Sequence, residues 1–372
     1  MSVSDTVDGY LLQRTFLLPK EEARVPRARD QIRPIATKYD ALLGELLGSL
    51  GSHSSDVREL VSNFGRTLLS TAIADRGGHN ELVDDRPLYW ARLSARVLLR
   101  VWAANLPSQR NGLLDNQLQT LEFSSRTSRG GEKLGNRRNG IPSILLTCFD
   151  PFKLDANIGQ SNPSAAIALT LDGENIEGYG METLVFPVRY ADFDARIVEQ
   201  LCSPCFIEGP RIGLTISMGR DQFDLERFPG LRRTSEAPDN AGVLGPVAGK
   251  TTPCIADSSE FVEFSLPAGP MCKVKGRWQV RDNRKVSTVE KGELVATSLS
   301  QLDGLTAISG SGGGYLSNEI AYRTRVLQQK LGVEFPLGHL HVPSIEEPDP
   351  NVLSKMVAQT RDLIRAALAA TH

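Results

Sequence analysis

The sequence predicts an α/β fold, in which helices cover both faces of a mostly parallel central sheet as an α/β/α sandwich. Strand-like and helix-like segments alternate after residue 140. The first of these strands, SILLTCF, is apolar throughout, as is typical of a strand buried on both faces. The residues before 140 show a helical pattern instead, which predicts an N-terminal helical extension.

Two segments of the N-terminal part have clear helical periodicity. SSDVRELVSNFGRTLLSTA follows a serine/aspartate cap, and DRPLYWARLSARVLLRVWAANLP has a proline at its first turn. In the second segment Arg92, Arg96 and Arg100 recur at every fourth position. An anion site is conceivable there, but such a row is usually a solvated face, and we expect the solvated face.

Residues 124–140, SSRTSRGGEKLGNRRNG, are polar, basic and rich in glycine. This composition is typical of a linker. We therefore predict two domains, a helical extension over residues 1–140 and an α/β/α domain over residues 141–372.

The segments of the second domain are predicted in order along the chain. The strands after SILLTCF are METLVFPV, PRIGLTISMG, FVEFSLP, LTAISG and FPLGHLHVP. The helices are NPSAAIALTL, ADFDARIVEQLC, a segment from Asn318 to about Leu331, and DPNVLSKMVAQTRDLIRAALAA.

Composition narrows the function classes. The 42 basic residues nearly balance the 44 acidic ones, which argues against binding nucleic acid or an anionic membrane surface. No apolar run reaches the roughly 20 residues of a membrane span, and the first residues do not resemble a signal peptide. Five scattered cysteines favour reduced thiols, so we expect a cytoplasmic protein, with a homo-oligomer as one option.

No metal or cofactor is predicted. Cys202 and Cys205 form a single CxxC pair without the second pair that a zinc site needs. His339 and His341 share a strand face and could bind zinc together with Glu226, but we rank this well below a catalytic histidine. The GSGGG stretch lacks the lysine of a phosphate-binding loop.

Three polar residues near predicted strand ends are the parts of a nucleophilic triad. Ser317 follows the strand-like LTAIS and a cluster of glycines, at the turn where a helix begins. His341 and Glu226 supply an imidazole and a carboxylate. From spacing alone two simpler interpretations stay open, since Ser317 would also serve as a helix cap and His341 as a strand-end histidine with satisfied hydrogen bonds.

Motifs spread over residues 143–345 resemble those of the pyroglutamyl peptidase I family, cysteine peptidases that remove N-terminal pyroglutamate. They are, in order, LLTCFDPF…NPS, FPV, GRDQFDLER, PDNAG, FSLP, SGGGYLSN and HVP. The resemblance implies a single α/β/α sandwich. It also implies a peptide or a small N-acyl amide as the substrate.

The resemblance assigns roles to individual residues. It makes Glu226 the orienting carboxylate, His341 the general base and Ser317 the residue at the nucleophile position. It also assigns substrate binding, with Phe149 and Phe152 as the aromatic side chains around the lactam ring, Asn162 as a ligand-holding amide and Arg220 as the arginine of the GR turn.

The chain departs from the family pattern at important positions. The catalytic cysteine is replaced by Ser317, a glycine by Cys148 and a glutamine by Ile216, and the connection AGPMCKVKGRWQVRDNRKVSTVEKGELVATSLSQL is longer. Serine there fits a serine hydrolase, a protein that only binds, or an inactivating substitution. We predict a hydrolase that cleaves the amide bond after a pyroglutamyl or similar small acyl group. The alternative is an impaired relative that binds such a ligand without turnover.

Overall fold

The computed structural model describes residues 3–12, 17–51, 56–75, 82–106, 112–127, 142–234, 237–245, 252–255 and 258–371. Within these ranges a helical region precedes a region where helices flank a central sheet. The predicted fold class, a mostly parallel α/β sheet with N-terminal helices, is confirmed.

Helices fill most of the first 124 residues and then alternate with strands. The α-helices are α1 (Val3–Leu12), α2 (Val25–Gln31), α3 (Arg33–Ala36), α4 (Asp40–Gly51), α5 (Val57–Ala74), α6 (Asp85–Ala104), α7 (Leu113–Ser124), α8 (Pro163–Leu171), α9 (Tyr190–Asp194), α10 (Ile197–Ile207), α11 (Ala268–Met271), α12 (Leu316–Leu331) and α13 (Pro350–Ala369). Short 3-10 helices cover Glu22–Arg24 and Leu299–Leu302. No helix in the described ranges is long and apolar enough to cross a membrane.

Three sheets contain the strands of the described residues. The strands are β1 (Ser143–Phe149), β2 (Asn175–Ile176), β3 (Tyr179–Phe186), β4 (Ile212–Met218), β5 (Phe223–Glu226), β6 (Arg232–Arg233), β7 (Thr252–Pro253), β8 (Val280–Asn283), β9 (Lys285–Thr288), β10 (Gly292–Val295), β11 (Ala307–Ser309) and β12 (Leu337–Val342). The central sheet has the order β2-β3-β1-β4-β12-β5-β8. A three-stranded sheet contains β10, β9 and β11, and a small one pairs β6 with β7.

Strands β3, β1, β4 and β12 form the parallel middle of the central sheet. Every residue of β1 and of β12 is buried, which explains why SILLTCF carries no polar alternation. The antiparallel strands β2 and β5 lie beside this parallel group.

The two faces of the sheet pack against different helices. Ile212, Leu214 and Ile216 of β4 belong to an apolar cluster that includes α6, α8 and α13. Leu145 and Phe149 of β1 belong to a second cluster with α10 and α12. Because side chains alternate along a strand, the odd-numbered residues of β4 lie on the α12 side.

The arginine stripe on α6 is not a solvated face, so that expectation is wrong. Arg92 is 1% exposed and lies 2.8 Å from Asp150, a residue of the sheet region. Arg96 and Arg100 both pair with Glu22, at 2.8 and 2.6 Å. The positive charges of the three arginines are therefore balanced by the carboxylates of Asp150 and Glu22, and they are not exposed to solvent as the periodicity alone predicted.

The predicted linker begins later than its composition indicates. Ser124, Ser125, Arg126 and Thr127 are all buried, and Arg126 forms an ion pair with Asp150 at 2.8 Å. The rest of the linker lies outside the described residues. The division into domains near residue 140 stays a prediction.

Two predicted segments differ from the structure. FVEFSLP is not a strand, because only Phe261 makes an isolated bridge, to Gly230, and the chain then turns into α11. The segment predicted as one helix over ADFDARIVEQLC is split into α9 and α10, since Arg196 adopts φ 65° between them.

Candidate active site

The ends of neighbouring strands bring two of the candidate catalytic residues, His341 and Glu226, together. His341 near the end of β12 pairs in register with Ser217 of the parallel strand β4 and with Asp224 of the antiparallel strand β5. Residues in register share a sheet face. Glu226 lies two positions after Asp224, so it reaches the same face as His341.

His341 and Glu226 form a buried acid–base pair. His341 Nδ1 lies 2.6 Å from Glu226 Oε1, and the Glu226 side chain is 0% exposed. Burial raises the pKa of the Glu226 carboxyl, although the neighbouring His341 opposes this shift. A carboxylate in this position fixes the imidazole tautomer that leaves Nε2 free to accept a proton.

Gly219 allows the pair to fit beneath the end of β4. A Cβ atom at residue 219 would lie 2.5 Å from the Cβ of His341, which is closer than real carbon atoms approach. The glycine of the GR motif is therefore required by the close approach of His341.

Ser317 lies in the first turn of α12, which begins at Leu316, two residues before the predicted start at Asn318, with Tyr315 rather than Ser317 at the N-cap position. The next residue, Asn318, holds the turn in place, since its Oδ1 accepts from Gly230 N at 2.9 Å and its Nδ2 donates to Gly230 O at 2.8 Å. At Gly310 a Cβ would lie 2.1 Å from Asn318 Oδ1. The glycine run is thus needed for backbone packing around the serine.

The hydroxyl of Ser317 donates to Gly312 O at 3.3 Å. Within the described residues no hydrogen bond joins it to His341, whose Nδ1 is engaged by Glu226. The first backbone N–H groups of α12 have no acceptor within the helix, and the helix dipole places positive potential beside Ser317. These groups suit a developing oxyanion.

A small cavity of about 40 Å³ adjoins Ser317. Its lining residues are Phe149, Phe152, Asn162, Val188, Ser217, Met218, Tyr315, Leu316 and Ser317. The two phenylalanines and the asparagine assigned to substrate binding therefore line the same cavity as Ser317. Phe149 is fixed by parallel stacking on Phe193, with ring centroids 6.2 Å apart, whereas Phe152 is half-buried.

Asn162 combines a structural role with a place in the cavity wall. As the N-cap of α8 its Oδ1 accepts from the backbone N of Ser164 at 3.1 Å, and its Nδ2 donates to Asp150 O at 3.0 Å. An amide nitrogen carries two hydrogens, so one is left for a ligand.

Arg220 is not among the residues that line the cavity. Its side chain is 69% exposed and lies 3.6 Å from Asp224. The other residues assigned from the sequence form two groups, the cavity residues around Ser317 and the pair of His341 with Glu226, whereas this arginine lies at the surface.

The sequence did not predict a row of hydrogen-bonded side chains behind the cavity, formed by Thr215, His339 and Ser217. His339, which is fully buried, contacts Thr215 Oγ1 through Nδ1 at 2.7 Å and Ser217 Oγ through Nε2 at 2.8 Å. The sequence shows that Thr215 and Ser217 alternate on β4 as His339 and His341 alternate on β12, but only the structure shows that the two strands are neighbours in register.

The histidines offer little to a metal ion. Both ring nitrogens of His339 face hydroxyls, and Nδ1 of His341 faces Glu226. Across the part of the chain that the structure describes, no group of three histidine, cysteine or acidic side chains is placed to hold a metal.

Comparison with protein families gives two matches along the chain. The model of the PA0049 N-terminal domain matches residues 10–119, and that of the PA0049 C-terminal domain matches residues 143–299 and 261–346. A relative named uncharacterized protein PA0049, from Pseudomonas aeruginosa, is 28% identical over 77% of this chain and 69% of its own length.

Solved structures of pyrrolidone carboxyl peptidases are distantly similar. A mutant enzyme from Pyrococcus furiosus is 20% identical, covers 62% of this chain and 100% of its own, and has a TM-score of 0.44. The enzyme from Thermococcus litoralis is 18% identical, with 62% and 94% coverage and a TM-score of 0.43.

Proposed function

We propose that this chain, which belongs to the PA0049 family through both its N-terminal and its C-terminal domain, is an amide hydrolase. Ser317 is the nucleophile, His341 the general base and Glu226 the carboxylate that orients the imidazole. The observation that carries this proposal is the 2.6 Å contact between His341 Nδ1 and the buried Glu226, beside a cavity that Ser317 lines.

Acylation begins when the Ser317 side chain rotates away from Gly312 O toward His341 Nε2. The Ser317 oxygen bonds to the substrate carbonyl carbon as its proton passes to Nε2. The oxyanion that forms is stabilised by backbone N–H groups at the start of α12. The C–N bond then breaks, and His341 returns the proton to the leaving amine.

Deacylation repeats these steps with water. His341 Nε2 takes a proton from water, whose oxygen attacks the acyl carbon, and the proton then returns to Ser317 as the ester bond breaks. Throughout, the ionised Glu226 stabilises the imidazolium, whereas burial, which raises the pKa of the Glu226 carboxyl, works against this ionised form.

The cavity favours a small acyl group with apolar faces, such as pyroglutamyl. Phe149 and Phe152 provide aromatic walls, and the unused Asn162 amide hydrogen is directed to a carbonyl oxygen.

A second candidate function is binding of the same ligand without turnover. The hydrogen bond from Ser317 Oγ to Gly312 O favours it, because a serine held in this rotamer is not activated by His341. A serine hydroxyl also needs more precise alignment with its base than a thiol.

Labelling with a fluorophosphonate probe distinguishes the candidates. For a hydrolase we expect the label on Ser317, lost in Ser317→Ala together with cleavage of pyroglutamyl anilide, and kept in the control Ser344→Ala at an exposed serine. Ser317→Cys gives equal or lower activity if the site is adapted to oxygen. Absence of labelling and turnover in both wild type and Ser317→Cys, with measurable pyroglutamate binding, would favour the binding protein.

A further inference from the structure

We propose that Ser217 is a specificity-determining residue of the cavity and presents a hydrogen-bond acceptor to an N–H group of the acyl moiety. The inference rests on the proposed function, because it concerns the group that the same cavity holds. Ser217 lines the cavity together with Ser317, although it was assigned no role from the sequence.

The position of Ser217 is fixed by the polar chain behind it. Thr215 Oγ1 lies 2.7 Å from His339 Nδ1, and His339 Nε2 lies 2.8 Å from Ser217 Oγ. Thr215 Oγ1 also lies 3.2 Å from the carbonyl of Gly338. All three side chains are at least 95% buried, so bulk water does not compete for these contacts.

The number of available hydrogens determines the direction of the hydrogen bonds between Thr215, His339 and Ser217. If Thr215 donates to Gly338 O, His339 Nδ1–H donates to Thr215, and the Ser217 hydroxyl donates to His339 Nε2. Every hydrogen then has a protein acceptor, whereas the reverse order leaves the Ser217 hydrogen without one. An unpaired buried donor costs free energy, so the first arrangement is favoured.

In this arrangement Ser217 turns only lone pairs toward the cavity. A ligand N–H group completes the hydrogen bonding of Ser217, whereas a carbonyl oxygen at the same position is repelled. Asn162 offers the opposite property, a free amide hydrogen. The pair of residues is complementary to a small acyl group that carries both an N–H and a C=O group, as a lactam does.

Ser217 is not a second nucleophile, despite its contact with a histidine. Glu226 is paired with His341, whose ring centroid lies 4.8 Å from that of His339. The partners of His339 are hydroxyls, which do not stabilise an imidazolium as a carboxylate does. Burial and the neighbouring His341 also lower the pKa of His339, which keeps its ring neutral.

The test compares two anilide substrates. One carries the pyroglutamyl group, and the other carries its carbocyclic analogue, in which CH2 replaces the ring N–H. For the wild-type protein we expect kcat/KM to favour the N–H substrate by about tenfold or more. In Ser217→Ala the ratio should fall to within about twofold, while the control Ser344→Ala, at an exposed serine that does not line the cavity, keeps the wild-type ratio.

A second variant tests the direction of the hydrogen bonds. His339→Phe cannot accept from Ser217, so the hydroxyl becomes free to donate, and the preference for N–H should fall as in Ser217→Ala. An unchanged ratio in Ser217→Ala would overturn the inference, as would fluorophosphonate labelling of Ser217 rather than Ser317.

If the protein is not a hydrolase, the role of Ser217 can be tested separately by ligand binding. If neither substrate is cleaved, calorimetric binding of free pyroglutamate and its carbocyclic analogue measures the same ratio without turnover. Loss of the preference in Ser217→Ala would then support the role of Ser217 in a binding site. An equal affinity for the two ligands in the wild-type protein would reject it.

Discussion

Asn283 donates to the second oxygen of Glu226, Oε2, over 2.7 Å, so the carboxylate that faces His341 is held from both sides. The other Asn283 amide hydrogen bonds Ser311 O at 2.9 Å. One side chain therefore connects the Glu226 carboxylate to the glycine-rich segment before Ser317. Strand β8, which carries Asn283, lies in the segment between α11 and α12.

Replacing Asn283 should change the pH dependence of activity. In Asn283→Ala the buried Glu226 loses a donor to its ionised form, so its pKa, already raised by burial, rises further. The proposed mechanism requires ionised Glu226, so we expect the acid limb of the kcat/KM profile to shift to higher pH in the variant. Lys285→Ala, on the neighbouring strand β9, is the control and should leave the profile in place. An acid limb that does not move would show that Asn283 is dispensable.

Asp85 on α6 should make stability depend on pH. Burial, together with the neighbouring Asp84, raises its pKa to about 7. Between the ordinary value of about 4 and 7 the folded chain retains a proton that the unfolded chain loses, so the free energy of unfolding falls as pH rises across this window. Asp85→Asn keeps an acceptor for Asn162 N and should flatten this part of the curve.

Urea unfolding at a series of pH values between 4 and 8 measures this effect. Asp303→Asn, at an exposed position, is the matched control and should follow the wild-type curve. The prediction is wrong if Asp85→Asn retains the wild-type slope over the whole range.

Phe152 should contribute mainly to ligand affinity. It is a half-buried wall of the cavity, and removing its ring in Phe152→Ala takes away one aromatic face. We expect the Kd for pyroglutamate to rise about tenfold. Lys153→Ala is a close control, because Lys153 Nζ lies 5.3 Å from the Phe152 ring centroid and its loss leaves the ring in place. Equal effects of the two changes would place the ligand elsewhere.

Gly310→Ala should destabilise the fold whatever the function. The new methyl group would meet Asn318 Oδ1 at 2.1 Å and the backbone N of Gly230 at 2.3 Å, and the backbone cannot easily give way. We expect the free energy of unfolding to fall by about 1–3 kcal/mol. Gly269→Ala, whose methyl group would meet nothing within 4 Å, should be neutral or slightly stabilising. Denaturant melts of both variants check this difference.

The elements that could be predicted from the sequence are those with a clear local pattern of apolar residues. The apolar strand SILLTCF and the periodic helix of Val57–Ala74 could be recognised from a few residues each. The arginine stripe could not be interpreted correctly, because its partners Glu22 and Asp150 lie about 60 to 80 positions away along the chain. FVEFSLP has the composition of a strand, but its hydrogen-bond partners are set by tertiary structure.

In the candidate site, too, some features were predictable from local motifs and others depend on tertiary structure. Ser317 and His341 were singled out by their neighbouring motifs, and their placement near one strand end follows from parallel topology. The Thr215–His339–Ser217 chain required knowing that β4 and β12 are neighbours in register. Asn283 lies in a segment without any recognisable motif, so nothing in the sequence indicated that it contacts Glu226.

The contacts of α6 connect the N-terminal helical half of this chain to the half that contains the central sheet, which constrains how the two halves can evolve. Arg92 supplies a buried charge to Asp150, and Asp85 accepts from the backbone of Asn162, so both ends of the segment that carries Phe152 are anchored in the helical half. A chain that comprised the sheet half alone would lose both ion-pair partners of Asp150, Arg92 and Arg126, and would expose the surface that α6 covers. Recombination between relatives would therefore keep the helical half and the sheet half together. Exchange of either half would require compensating changes at the contacts of Arg92 with Asp150 and of Asp85 with Asn162.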